Sequence, residues 1–253
     1  CRTIEKAEDA KQTLAARVGS DPFEVLAVDV SSIQSSEAAA ATLVERGIPI
    51  DALLLNAGMV SGDEMERSDD GLELAFASSI IGHHVITIRL LEAGLVSEGA
   101  HVVLAGSEAA HGNVPGMMGM KLYDFATGTP ELFADNLHDA MTNFARGTMP
   151  EQFQGTRYYA TTKVFSAWWS ASMARKYGDK ISVFTVSPGS NMKTNTGRHM
   201  TGFKRFLFTK VMPTIGGPLG MNMPTEKGAK RYLDVLLDQD GEFKNGMTCT
   251  SAP

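Results

Sequence analysis

"IDALLLNAG", residues 50–58, decides how the rest of the chain is read. Its first six residues are almost continuously apolar, and Asn56, Ala57 and Gly58 bring the run to a stop. A short strand that is apolar on both sides belongs in a parallel sheet covered by helices on both faces. Upstream, "IEKAEDAKQTLAARVG" reads as an amphipathic helix ending near Gly19, and "FEVLAVDV" reads as a valine-rich strand. "SSEAAAATLVERG" is a second helix with a serine start and a glycine stop at Gly47. Downstream come a helix over roughly 70–95, the strand "AHVVLAGS", a helix around "YYATTKVFSAWWSASMARKYG", the strand "KISVFTVSPG", and a closing helix in "TEKGAKRYLDVLLDQ".

Strand and helix therefore alternate, the pattern of βαβ units in an α/β, doubly wound parallel sheet of Rossmann type. In such sheets ligands bind beyond the carboxyl ends of the strands, which points to Asp29, Asn56, Ser107 and Gly189. The chain is expected to form a single domain over residues 1–253. Two stretches interrupt the alternation. Residues 112–156 hold the loop "GNVPGMMGM" and a helix-like piece, "ELFADNLHDAMTNFA". Residues 190–225 form a long segment containing "FKRFLFTKVM", and loops of this length are usually functional lids or disordered.

Composition narrows the function. The chain has 253 residues and a net charge of -6, which argues against a nucleic-acid partner, since phosphate binding needs clustered Lys and Arg. No run of about 18 apolar residues occurs, so no membrane span is expected. Cys1 and Cys249 stand far apart and form no disulfide framework, which favours a reducing cytoplasm. No secretory leader is read at the start. His83 and His84 are neighbours on a helix with no Cys or Asp cluster beside them, so they are read as packing residues and no metal is assigned.

The chemistry concentrates in "GTRYYATTKVFSAWW", residues 155–169. Tyr159 precedes Lys163 by four, which stacks both side chains on one helix face. A phenol beside a fixed ammonium loses its proton more easily. The bland alternative is an ordinary pair on a solvated face. Tyr158 is the rival phenol, but its partner four residues on is Thr162, which carries no charge.

Four motifs in this order resemble the short-chain dehydrogenase/reductase family, in its retinol dehydrogenase and carbonyl reductase branch. They are "LLLNAG", with Leu55 in place of the family's first Asn, then "VVLAGS", "YATTK" and "VSPG". The resemblance covers nearly the whole chain. It implies that Tyr159 is the acid/base, that Lys163 and an oxidised nicotinamide lower its pKa, and that Ser107 polarises the substrate carbonyl. It also implies that Asp29 and Val30 meet an adenine, that Asn56, Ala57 and Gly58 line the adenosine, and that Pro188 and Gly189 border the nicotinamide. Arg2 resembles an arginine that meets a 2′-phosphate, which favours NADP(H) over NAD, since guanidinium pairs well with phosphate. Thr194 falls one position later than the family threonine, so contacts from Asn191 to Thr194 are assigned within one residue.

The resemblance also exposes departures. The family opens with a strand and a glycine-rich turn that holds a pyrophosphate at a helix N-terminus. Nothing before Asp29 has that form, and the chain begins with Cys1, so a first βαβ portion is expected to lie upstream. "FASSIIG" places Ser79 where the family carries an asparagine that helps hold a proton-relaying water. A serine hydroxyl still binds water. Ser107 and Tyr159 stand 52 positions apart, against a dozen or so in most members. Monomeric carbonyl reductases carry a helical insertion there, so 112–156 is read as an insertion and a monomer is expected, with surface decoration as the alternative. Met117, Met118, Met120, Met192, Met200, Met221 and Met223 crowd the two long segments and suit an apolar substrate or core filling alike. "FKRFLFTKVM" is basic and apolar together and allows contact with a membrane surface. The function expected is NADP(H)-dependent reduction of an apolar ketone or aldehyde, or oxidation of the matching alcohol; the alternative is a catalytically silent relative that binds a partner.

Overall fold

In the computed structural model of the chain, residues 1–62, 64–112, 121–123, 125, 137–148, 153–189, 224–238 and 240–250 are described. The described elements are α1 (Ile4–Val18), α2 (Ile33–Arg46), β1 (Ile50–Leu55), α3 (Leu74–Glu92) and β2 (Val96–Ala105). They continue with α4 (Leu137–Arg146), α5 (Gly155–Tyr177), β3 (Ser182–Val186), α6 (Thr225–Leu236) and β4 (Thr248–Cys249). A single 3₁₀ turn, Glu108–His111, follows β2.

The helix ends follow local chemistry. The Thr3 hydroxyl accepts from the Lys6 amide to start α1, and Gly19 ends it at φ 73°, in the left-handed region that favours glycine. Ser32 caps α2 through the Ser35 amide. The Glu73 carboxylate, 1% exposed, starts α3 by accepting from the Phe76 amide at 2.7 Å and from the Ser61 hydroxyl at 3.0 Å.

The four strands lie side by side in the order β1-β2-β3-β4, and every pairing is parallel. In β2 the side chains alternate. Val102 and Leu104 join Phe76, Phe144, Tyr158 and Phe165 on one face, while Val103 and Ala105 join Phe184, Val186, Tyr232 and Val235 on the other. Helices α3 and α5 cover the first face and α6 the second, so the sheet is sandwiched as its apolar strands require.

Three expectations need correction. Residues 23–30 form no strand, because no other strand pairs with them; a single bond from the Val28 amide to the Cys1 carbonyl, 2.8 Å, fixes this stretch to the chain start. β1 is not buried on both faces: it is the edge of the described sheet, and Leu54 is 41% exposed. Helix α3 is long and apolar enough by composition to cross a membrane, although no unbroken apolar run of that length occurs in it, because its isoleucines, leucines and valine outweigh its polar residues. Here it is a core helix, packed between α2 and α5. The short strand β4 was not foreseen, since two residues carry no period to read.

Of the interrupting stretches, α4 realises the helix expected in 112–156, and Phe144 stacks on Tyr158 and Phe165 of α5 at 4.6 and 5.2 Å. Asn191, Thr194 and the seven clustered methionines lie outside the described residues, as does all of "FKRFLFTKVM".

One of the tightest fits among the described residues lies at Gly82 in α3. A Cβ there would stand 2.0 Å from the Val30 carbonyl oxygen and 2.8 Å from the Ser36 hydroxyl, so only glycine lets α3 touch the turn before α2. Replacing Gly82→Ala is expected to cost about 1–3 kcal/mol or more, because backbone rather than a movable side chain blocks the methyl. Urea unfolding of the variant beside the parent measures it, and equal midpoints would refute the packing.

Candidate active site

Helix α5 begins where three strand ends meet, and it carries the two residues around which the site is built. Tyr158 and Tyr159 point in different directions. Tyr158 is 1% exposed and stacked on Phe144, which makes it a core residue. Tyr159 is half-buried and lies beside Ser107 at the end of β2, whose side chain works to lower its pKa. Ser107 also does what a strand-end serine commonly does: its hydroxyl accepts from the Ala109 amide at 3.2 Å and caps the 3₁₀ turn.

Lys163 is 5% exposed, and its Nζ lies 5.7 Å from the centre of the Tyr159 ring. The ammonium donates to the Ala105 carbonyl at 2.9 Å, which ties α5 to the last residue of β2. Burial lowers the Lys163 pKa to about 8. Burial also raises the Tyr159 phenol above its ordinary value, and the Ser107 hydrogen bond pulls it partway back. The expected lowering by Lys163 is therefore absent here. A cation that far from the ring, already turned to a carbonyl, does little for the phenolate, so Tyr159 holds its proton near neutrality.

Gly106, just before Ser107, is a second position where the geometry requires glycine. A Cβ there would meet the Thr185 methyl at 2.6 Å, and Thr185 is held by Ser166 and Ser170 of α5.

Ser79 sits in a π-helical turn of α3, Ala77–Ile81, where the Gly82 amide reaches back to the Ala77 carbonyl. Such turns insert one residue into a helix and often stand at functional sites. Ser79 is 1% exposed, and its hydroxyl has no hydrogen-bond partner among the described residues. Gly58, at the end of β1, faces it: a Cβ there would lie 3.0 Å from Ser79 Oγ and 3.7 Å from Lys163 Nζ. The structure thus gathers Gly58, Ser79, Ser107, Tyr159 and Lys163 at one end of the sheet, with Asn56 and Ala57 exposed beside them.

A second group forms around Asp29. Burial works to raise its carboxyl, but hydrogen bonds from Ser31, at 2.6 and 3.0 Å, and the charge of Arg2 together hold it below the usual value. Arg2 is exposed beside it, and Val30 links this group to α3 through the contact at Gly82. Pro188 and Gly189 follow β3, where the Pro188 carbonyl abuts Gly228 of α6.

Sequence reasoning missed three residues. Tyr232 of α6 is buried, and its phenol is pushed up by burial and then by the charge of nearby Tyr159. Arg231 donates to the Ser187 carbonyl at 3.2 Å and lies 3.6 Å from Glu108, clamping α6 across the ends of β2 and β3. His83 places Nε2 2.8 Å from the Ala57 carbonyl oxygen. No period or motif distinguishes these from ordinary helix residues. His84, by contrast, accepts a hydrogen bond from the Trp169 indole at 3.1 Å, a packing role as expected.

Residues 2–126 match the family described as enoyl-(acyl carrier protein) reductase. The chain is 26% identical to a chloroplastic protochlorophyllide reductase of Chlamydomonas reinhardtii over 97% of its length, and 24% identical to human retinol dehydrogenase 14 over 79%. The chain belongs to the short-chain dehydrogenase/reductase family. It spans 60% of the algal protein and 55% of the human one, little more than half the length of these curated relatives. A short-chain dehydrogenase of Salmonella enterica shares the fold at a TM-score of 0.62 and 16% identity, covering 100% of this chain and 83% of its own.

Short-chain dehydrogenase/reductases bind a nicotinamide cofactor. The residues here fit one: Lys163 directs one of its three protons to Ala105, leaving two for hydroxyl acceptors, and the backbone of residues 56–58 lies exposed at the sheet edge.

Burial of Lys163 has a consequence for stability. Its folded pKa is depressed to about 8 from 10.5, so stability rises as pH climbs through 8 to 10.5, and at pH 7 the cation is a cost. Lys163→Met is expected to stabilise the fold at pH 7 by about 2 kcal/mol, the charge relief less one lost hydrogen bond. A lower thermal midpoint than the parent's would contradict it.

His83 titrates in the opposite range. Burial lowers its pKa to about 4 from 6.5 against the opposing effect of the Ala57 bond, and the Lys163 charge adds a smaller lowering. The neutral imidazole therefore contributes stability that is complete above pH 6.5 and drains away as pH falls from 6.5 through 4, roughly 3 kcal/mol in all. Denaturant titrations from pH 7 to 4 should show this slope in the parent and lose it in His83→Gln.

Proposed function

We propose that the protein is an NADP(H)-dependent oxidoreductase that reduces an apolar ketone or aldehyde, or oxidises the matching alcohol, with Tyr159 as the acid/base. The observation that carries this reading is the placing of Tyr159 beside Ser107, close enough for the serine side chain to lower its pKa, with Lys163 on the same face of α5. A substrate carbonyl oxygen placed between the two hydroxyls receives a hydrogen bond from Ser107 and the proton of Tyr159. A bound nicotinamide supplies hydride to the carbonyl carbon. Burial holds the phenol in its protonated form, so the resting site carries the proton that a carbonyl oxygen would take.

The preference for NADP(H) rests on Arg2, an exposed guanidinium beside Asp29 in the adenine-side group. The apolar substrate class rests on the clustered methionines of the long segments and on the human relative, which is named for retinol. Packing of α4 against α5 supports a monomer, since it covers an aromatic face of α5. The free cysteines Cys1 and Cys249 support a cytoplasmic site of action.

A second reading, a catalytically silent relative that binds a partner, is favoured by Ser79 and its unpartnered hydroxyl at the family's asparagine place. Titration of the natural-length protein with NADPH and NADH separates the two, because a silent partner-binder has no need of either nucleotide. In the enzyme, Tyr159→Phe should lower kcat by about 10²–10⁴-fold while leaving nucleotide affinity unchanged. Arg2→Ala should weaken NADPH binding about tenfold and leave NADH binding alone. Unchanged turnover in the first variant would remove Tyr159 from the chemistry.

A further inference from the structure

His83 is 3% exposed, on the turn of α3 that follows Ser79. A carbonyl oxygen only accepts, so the 2.8 Å contact with Ala57 requires a proton on Nε2. That fixes the neutral tautomer and leaves Nδ1 as a buried lone pair with no partner among the described residues. Burial and the Lys163 charge keep the ring neutral at physiological pH, so this tautomer is the one present.

The Ala57–Gly58 step is therefore gripped on two sides. His83 holds the Ala57 carbonyl, and Gly58 lies against Ser79 Oγ and Lys163 Nζ. Asn56, Ala57 and Gly58 are otherwise exposed and follow directly on β1. We propose that His83 is a positioning residue whose Nε2–H bond to the Ala57 carbonyl sets the backbone of residues 56–58 against Lys163 and thereby sets nucleotide affinity. The inference rests on the reductase reading and adds to it a residue that touches neither substrate nor nucleotide.

The test is a fluorescence titration of the natural-length protein with NADPH and NADH, in parallel with thermal midpoints, for the parent, His83→Gln, His83→Asn and His83→Phe. A Gln amide reaches the place of Nε2, whereas the Asn amide stops at the place of Nδ1 and Phe has no donor. The expected result is a Kd within about threefold of the parent for Gln, and a Kd about tenfold weaker for Asn and for Phe, one lost hydrogen bond's worth. Should Phe fail to fold, the Gln and Asn pair decides. Equal affinity across folded variants would overturn the positioning role, as would equal loss in Gln and Asn. If the parent itself binds neither nucleotide, the reductase reading fails and takes this proposal with it.

Discussion

One buried ammonium organises the site. Lys163 lies in the interior of the fold, and its single acceptor among the described residues is the carbonyl of Ala105, at the last residue of a parallel strand. A charge in that place is costly by its nature, and its depressed pKa measures the strain of keeping it. The fold tolerates it because the carbonyl is held rigidly by the pairing of β2 between β1 and β3. The same bond fixes the start of α5 against the strand end, and that is what brings Tyr159 to Ser107. A neutral residue would pack there more comfortably and would leave no cation beside Tyr159. Stability has been given up for a polar site.

The second constraint is how closely α3 approaches its neighbours. Its π turn changes the angular position of everything after Ile81 relative to everything before Ala77. Ser79 consequently faces Gly58, while Gly82 touches the Val30 carbonyl and His83 reaches Ala57. A regular α-helix would present these three residues in a different rotation, and one of the contacts would be lost. The Arg2–Asp29 group and the Tyr159 group meet through this helix, which links the adenine side of the proposed site to its reacting end.

Much of this was legible in the sequence. Helix ends at Gly19 and Gly47 were readable because capping is a local affair, whereas the second helix, read from Ser35, begins earlier, at Ile33 behind its Ser32 cap. The choice of Tyr159 over Tyr158 followed from helix periodicity, and the structure separates them as that periodicity requires, one into the aromatic core and one toward Ser107. What failed was whatever depends on neighbours. Residues 23–30 have the composition of a strand, but a strand exists only in a ladder, and here no partner runs beside it. β1 reads as fully buried and stands at an edge for the same reason. His83, Tyr232 and Arg231 gain their roles from contacts with residues 26, 73 and 44 positions away, which no local pattern encodes.

The protonation states bear on direction. The sequence suggested a phenol made acidic by its lysine; the structure shows a phenol kept neutral by burial, with Ser107 as its hydrogen-bonding neighbour. These are different starting points for the same pair of residues. A neutral phenol beside a serine hydroxyl offers a carbonyl oxygen two donors and needs no prior deprotonation. An alcohol substrate would instead need a phenolate, and the nearest cation is 5.7 Å from the ring and engaged with Ala105. Charge brought by an oxidised nicotinamide would have to supply the missing stabilisation. In the chain alone, burial holds the proton on Tyr159 and the Ser107 side chain works against it, so the balance between the two sets how readily the phenol gives its proton up.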